Sequence, residues 1–132
     1  DNLKTFAKDY NVNANFLGRI ENNDLEEMYK KYIFYISTST FEGNPKTILE
    51  AMSNGCIVLI SDIENHKELI INEENGYLLN LNSNFKNKIE ELLIDLPALS
   101  KVSKNAKKFV EENNLINKLI DSIYSDYKLL SN

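Results

Sequence analysis

Ile57-Val58-Leu59-Ile60 is apolar without a break. A strand with one face in water alternates apolar and polar residues, whereas an unbroken run belongs to a strand buried on both faces, the usual state of a parallel sheet covered by helices. A second β-rich run spans 33–36 and a third 77–79, and segments with helical spacing separate them. Strands of this kind alternating with helices predict an α/β fold, a Rossmann-like doubly wound parallel sheet. From residue 83 onward every segment reads as helix and no strand returns.

The remaining elements follow from periodicity and punctuation. Leu3, Phe6, Ala7 and Tyr10 fall at helical spacing, and after a turn at 11–13 a short strand is expected at 15–17, stopped by Gly18. Asn23 or Asp24 is suited to cap a helix whose buried stripe is Leu25, Met28, Tyr29 and Tyr32. A helix over 45–54 ends at Gly55, and a short helical segment is expected near 66–71, followed by a turn at 72–76. Ser83 is expected to cap a helix to Leu93, Pro97 opens one to Glu112, and a last helix covers 115–130.

Composition excludes several classes. The 132 residues suffice for one domain with a core. A net charge of −5 leaves no basic field to hold a nucleic-acid backbone, so nucleic acid is not an expected partner. The longest apolar runs, 56–60 and 69–71, fall far short of the ~18 residues of a membrane span. The single cysteine, Cys56, makes no internal disulfide and fits a reducing, cytoplasmic setting. The polar start at Asp1 resembles no signal peptide and reads as a piece of a longer chain.

The segment richest in chemistry is Phe41-Glu42-Gly43-Asn44-Pro45-Lys46-Thr47-Ile48-Leu49-Glu50-Ala51-Met52-Ser53-Asn54-Gly55. It follows a buried strand and opens a helix, and ligands of open α/β sheets bind at the carboxyl ends of the strands, where helix starts present unpaired amides. Asn44 suits the N-cap and Pro45 the first helical position, which offers the amides of Lys46 and Thr47 to a phosphate. At about 100° per residue, Ile48, Leu49, Ala51 and Met52 share one face and Glu50 points away from the sheet. Glu50 lies roughly 7 Å along the axis from Pro45, which suits a ribose diol beside a diphosphate held at the helix start. Glu42, on the other side of that start, is placed for a sugar, because carboxylates accept hydrogen bonds from vicinal hydroxyls.

These residues resemble glycosyltransferase family four. The resemblance rests on the acid-Gly-x-Pro opening, the seven residues between Glu42 and Glu50, the following Glu-Ala-Met-x-x-Gly, and Ser61-Asp62. It extends to Phe16-Leu17-Gly18-Arg19, Glu68 and Asn75-Gly76-Tyr77-Leu78, so it spans nearly the whole chain. It implies the C-terminal, donor-binding domain of a two-domain GT-B enzyme, retaining transfer from a UDP-, GDP- or ADP-sugar, and no metal or other cofactor. On the family pattern Glu42 contacts the transferred sugar as the catalytic-site carboxylate. Gly43, Asn44, Pro45, Lys46 and Thr47 hold the diphosphate, Glu50 holds the ribose, and Arg19 and Ile20 sit against the base. The pattern also implies that the first strands of the sheet, a phosphate-binding Arg and Lys, and an N-terminal acceptor domain lie upstream of Asp1. The chain alone is then expected to bind donor without transferring sugar. Peripheral membrane association of the whole enzyme and self-association of the fragment stay open. Ile57 departs from the pattern, which usually has proline there.

Other residues invite less. His66 reads as a partly exposed loop histidine, Cys56 as an inert core residue, and Lys46 equally as a phosphate ligand or a surface charge. Asp62 and Glu64 do not form a metal signature, and Lys101, Lys104, Lys107 and Lys108 read as a solvated helix face. An alternative from another class is a flavodoxin-like FMN module, with Ser37-Thr38-Ser39-Thr40, Gly43 and Thr47 cradling a flavin phosphate. A carboxylate at Glu42 inside such a loop opposes the phosphate. A non-catalytic α/β binding module is the third reading.

Overall fold

Continuous burial decides where the sheet lies: all five residues of Ile57–Ser61 are buried, and this strand is the centre of the molecule. A computed structural model describes residues 2–43, 45–82, 84–113 and 115–130, with side chains to residue 128. In chain order the elements are α1 (Asn2–Asp9), α2 (Asn22–Lys31), β1 (Phe34–Ser37), α3 (Lys46–Ser53), β2 (Ile57–Ser61), α4 (Glu64–Lys67), β3 (Tyr77–Leu79), α5 (Phe85–Leu92), α6 (Leu96–Glu112) and α7 (Leu115–Leu130). The three strands form one parallel sheet in the order β1-β2-β3, with Phe34 opposite Ile57 and Leu59 opposite Tyr77.

The pleat of β2 divides the core. Val58 and Ile60 point into a cluster with Tyr29 of α2, Ile48, Leu49, Ala51 and Met52 of α3, and Ala106 and Val110 of α6. Ile57 and Leu59 point the other way, to Tyr77 and Leu79 of β3, Leu92 of α5, and Leu99 and Val102 of α6. Helices therefore cover both faces, as the unbroken apolar run requires. The four lysines named on α6 are exposed while Val102 and Ala106 are buried, so they form a solvated face.

The stop of α3 is built by Gly55. Its φ of 88° is open to glycine at little cost, and it lets the amide of Gly55 reach the Met52 carbonyl and that of Cys56 reach Ala51 (3.0 and 2.9 Å). This paired bonding turns the chain directly into β2.

Several expectations are corrected. Residues 15–17 form no strand, and Phe16 and Leu17 are 45% and 55% exposed. A strand needs a hydrogen-bonded neighbour, and among the described residues 15–17 pair with no strand, the sheet being β1-β2-β3. The cap of α2 is Glu21, with no side-chain bond, and Asp24 sits inside the first turn, where its charge suits the helix dipole. Of the stripe expected on α2 only Tyr29 is buried; Leu25 and Met28 are partly covered, and Tyr32 is 52% exposed. Pro45 precedes α3 rather than opening it, its carbonyl already accepting from Leu49 N (3.0 Å). The short helix after β2 falls at Glu64–Lys67, earlier than expected. Ser83, like Asn44, lies outside the described residues; α5 is capped by Asn84, whose Oδ1 accepts from Asn87 N (3.2 Å).

Candidate functional site

Because β1 and β2 are parallel, their carboxyl ends lie at one edge of the sheet, and the loops leaving them meet there. The loop after β1 carries Thr38 to Gly43 into α3, and the loop after β2 leads into α4. Ser61 Oγ donates to the Ser39 carbonyl, and Asn65 Nδ2 donates to the Glu42 carbonyl. Glu42 is half-buried and Gly43 exposed, and Asn44 lies outside the described residues.

The first turn of α3 presents Lys46 and Thr47. Thr47 Oγ1 shares a hydrogen bond of 2.9 Å with the Tyr35 hydroxyl of β1, which ties the helix start to the strand before it. Lys46 Nζ lies 3.3 Å from Glu50 Oε1. That pair is half exposed at the lysine and joins residues four apart, so it contributes only ~0.3–0.5 kcal/mol. A lysine at a helix amino end also opposes the helix dipole unless an anion accompanies it.

Glu50 points away from the sheet, as its helical position predicts, yet it is not on an open surface. It lines a cleft of about 370 Å³ with Asn22, Asn23, Tyr29, Ser53 and Asn54. Burial, and then the nearby Glu50 charge, push the Tyr29 phenol up to about 12. Arg19 and Ile20 lie in the irregular segment after Gly18 (φ 67°), Arg19 exposed and Ile20 half-buried, and that segment runs directly into Asn22 and Asn23 at the mouth of this cleft. A larger cleft, about 570 Å³, lies beside Tyr77, Lys88 and Val102. Tyr77 is the first residue of β3, so that cleft sits toward the amino ends of the strands, where open α/β sheets do not bind their ligands.

His66 corrects its reading as a partly exposed residue. It is fully buried, its Nδ1 is 2.7 Å from the Ser61 carbonyl, and its Nε2 is buried with no hydrogen-bond partner among the described residues. Cys56 is an inert core thiol: buried, bonded to the Tyr29 carbonyl (3.0 Å), and pushed up by burial. The clasp of Asn65, Ser61 and His66 behind the Glu42 loop was not legible in sequence, since nothing in the local pattern marks Asn65.

Fold and site together define a class: an α/β domain with helices on both faces of a parallel sheet and a candidate anion site, flanked by carboxylates, at the strand ends. Within that class the chain belongs to the glycosyl transferases group 1 family, whose model matches residues 1–109. A UDP-Gal:alpha-D-GlcNAc-diphosphoundecaprenol alpha-1,3-galactosyltransferase of Escherichia coli is 30% identical over 124 residues, 92% of this chain and 32% of that protein. A glycosyltransferase of Haemophilus influenzae is 32% identical over 126 residues, 92% of this chain and 35% of that one. The chain thus spans about a third of the length of these curated relatives. Among solved structures it is similar to the C-terminal domain of the group 1 family glycosyl transferase LpcC from Francisella tularensis (TM-score 0.72, 26% identity, 84% of this chain and 60% of that one). The fold is also that of Anabaena Alr3699/HepE, solved with UDP-glucose (TM-score 0.77, 20% identity, 94% of this chain and 36% of that one). Among the described residues no helix is long and apolar enough to cross a membrane.

Proposed function

We propose that residues 1–132 are the nucleotide-sugar-binding domain of a retaining, two-domain GT-B hexosyltransferase of family four, working in the cytoplasm. The donor is a UDP-, GDP- or ADP-sugar, and the name of the Escherichia coli relative makes UDP-sugars the first to try. A second domain, outside these residues, holds the glycan, lipid or other acceptor. The observation that carries the reading is the placement of Glu42 and Glu50 on either side of the α3 start, at the strand ends of a group 1 family chain.

In this reading the diphosphate rests on the turn from Gly43 to Thr47, with Asn44 and Pro45 in it, and Lys46 exchanges Glu50 for a phosphate oxygen. The helix start then shares, with a phosphate-binding Arg and Lys outside these residues, the stabilisation of charge developing on the leaving diphosphate, a role those cations fill without a metal. Glu50, released from Lys46, accepts from the ribose hydroxyls above the Asn22–Tyr29 cleft. Arg19 and Ile20 flank the base, and Glu42 meets the transferred sugar.

The test is calorimetric binding of nucleoside diphosphates and nucleotide sugars to the full-length enzyme. Glu50→Ala is expected to weaken both ligands equally, by about 1.5–3 kcal/mol, through loss of charge-assisted bonds. Glu42→Ala is expected to weaken only the ligand that carries the sugar. Equal effects of both substitutions on the bare nucleotide would overturn this division of roles.

A further inference from the structure

The loop between β1 and α3 has no ladder to hold its backbone, yet a carboxylate that meets a sugar must be held to within ~0.5 Å. Two side chains, one from the end of β2 and one from α4, hold it by its carbonyls, Ser61 at Ser39 and Asn65 at Glu42 itself. His66 stands behind them. Its Nδ1 faces a carbonyl, which only accepts, so Nδ1 donates there, and among the described residues Nε2 has no hydrogen-bond partner. An apolar side chain would fill this buried space without orphaning a nitrogen. What the histidine adds is the bond that fixes the Ser61 carbonyl, one residue from the chain that turns into α4.

We infer that Asn65, beside His66 on the same short helix, is a positioning residue that sets the Glu42 carboxylate against the donor sugar. The inference rests on the proposed role of Glu42. Asn65 is exposed, so replacing it removes the bond without opening the core.

The experiment uses the full-length enzyme, with a nucleotide sugar that the wild type binds and the matching nucleoside diphosphate. Asn65→Ala and the isosteric Asn65→Asp, which has no N–H to donate, are compared with Glu42→Ala and with the Glu42→Ala/Asn65→Ala double variant. Both Asn65 variants are expected to weaken the nucleotide sugar about 3- to 10-fold and leave the bare diphosphate unchanged. The double variant is expected to bind no more weakly than Glu42→Ala alone, because Asn65 acts only through that carboxylate. If Glu42→Ala abolishes the sugar's contribution but the Asn65 variants leave it unchanged, or if the two effects add, the positioning role is overturned and the Glu42 role stands. If Glu42→Ala leaves the sugar's contribution intact, both are overturned.

Discussion

Gly76 immediately precedes β3 and packs against Val58 of β2, and adding one methyl group there tests that packing. A Cβ at Gly76 would lie 2.6 Å from Val58 Cγ2, 3.1 Å from Ile70 Cδ1 and 3.3 Å from the Val58 carbonyl oxygen. The first distance is about 0.9 Å short of the ~3.5 Å at which carbon contacts become favourable. Val58 is β-branched, fully buried and paired with Tyr35 of β1, so its χ1 is restricted and a retreat from the new methyl is costly. Gly76→Ala is therefore expected to cost about 1–3 kcal/mol by overpacking, more than the few tenths that removal of a glycine returns through the unfolded chain. Val58→Ala alone opens a cavity and costs a similar amount, whereas the Gly76→Ala/Val58→Ala pair places the new methyl where the old one was removed. The double variant should then be more stable than the sum of the single losses by on the order of 1 kcal/mol. Urea unfolding of all four proteins, followed by circular dichroism, measures the cycle. A neutral Gly76→Ala, or losses that simply add, would refute the close packing of Gly76 against Val58.

Tyr29 supplies a test in alkaline solution. Its phenol is raised to about 12 in the fold, chiefly by burial and then by Glu50, against an ordinary value near ~10, so the fold favours the neutral form. That contribution is complete below about pH 10 and is lost as pH rises from about 10 to about 12. The stability gap between wild type and Tyr29→Phe should change across this window and stay flat below it; a gap independent of pH in urea titrations refutes the assignment. Asp95 caps α6 by accepting from Ala98 N (3.0 Å), and α6 feeds both core clusters. Asp95→Ala should lower stability by about 0.5–2 kcal/mol and Asp95→Asn by much less, since the amide keeps an acceptor; equal losses in thermal melts would show that the cap is not what Asp95 contributes.

Features written into consecutive residues were read from the sequence alone. The unbroken apolar run became β2, buried at every position. The helix at 115–130 and the strand at 77–79 took the expected bounds, and Gly55 ended α3 as its type predicts. Glu42 and Gly43 fell between β1 and α3, and Glu50 fell on the less buried side of α3, because those placements follow from periodicity. Other features depended on partners distant in sequence. Residues 15–17 have strand-like side chains but no neighbouring ladder, so the same local preference produced coil. Glu50 shares a cleft with α2 because α2 and α3 pack there. His66 and Asn65 carry no local mark of their roles. Their bonds reach Ser61 and, 23 residues back along the chain, Glu42, and parallel crossovers alone bring those segments together. Side-chain pattern determined which segments were strand or helix, since burial of one face or two is a property of the local period. The loop geometry around Glu42 was decided only by the tertiary structure, because its carbonyls find their donors across the sheet edge.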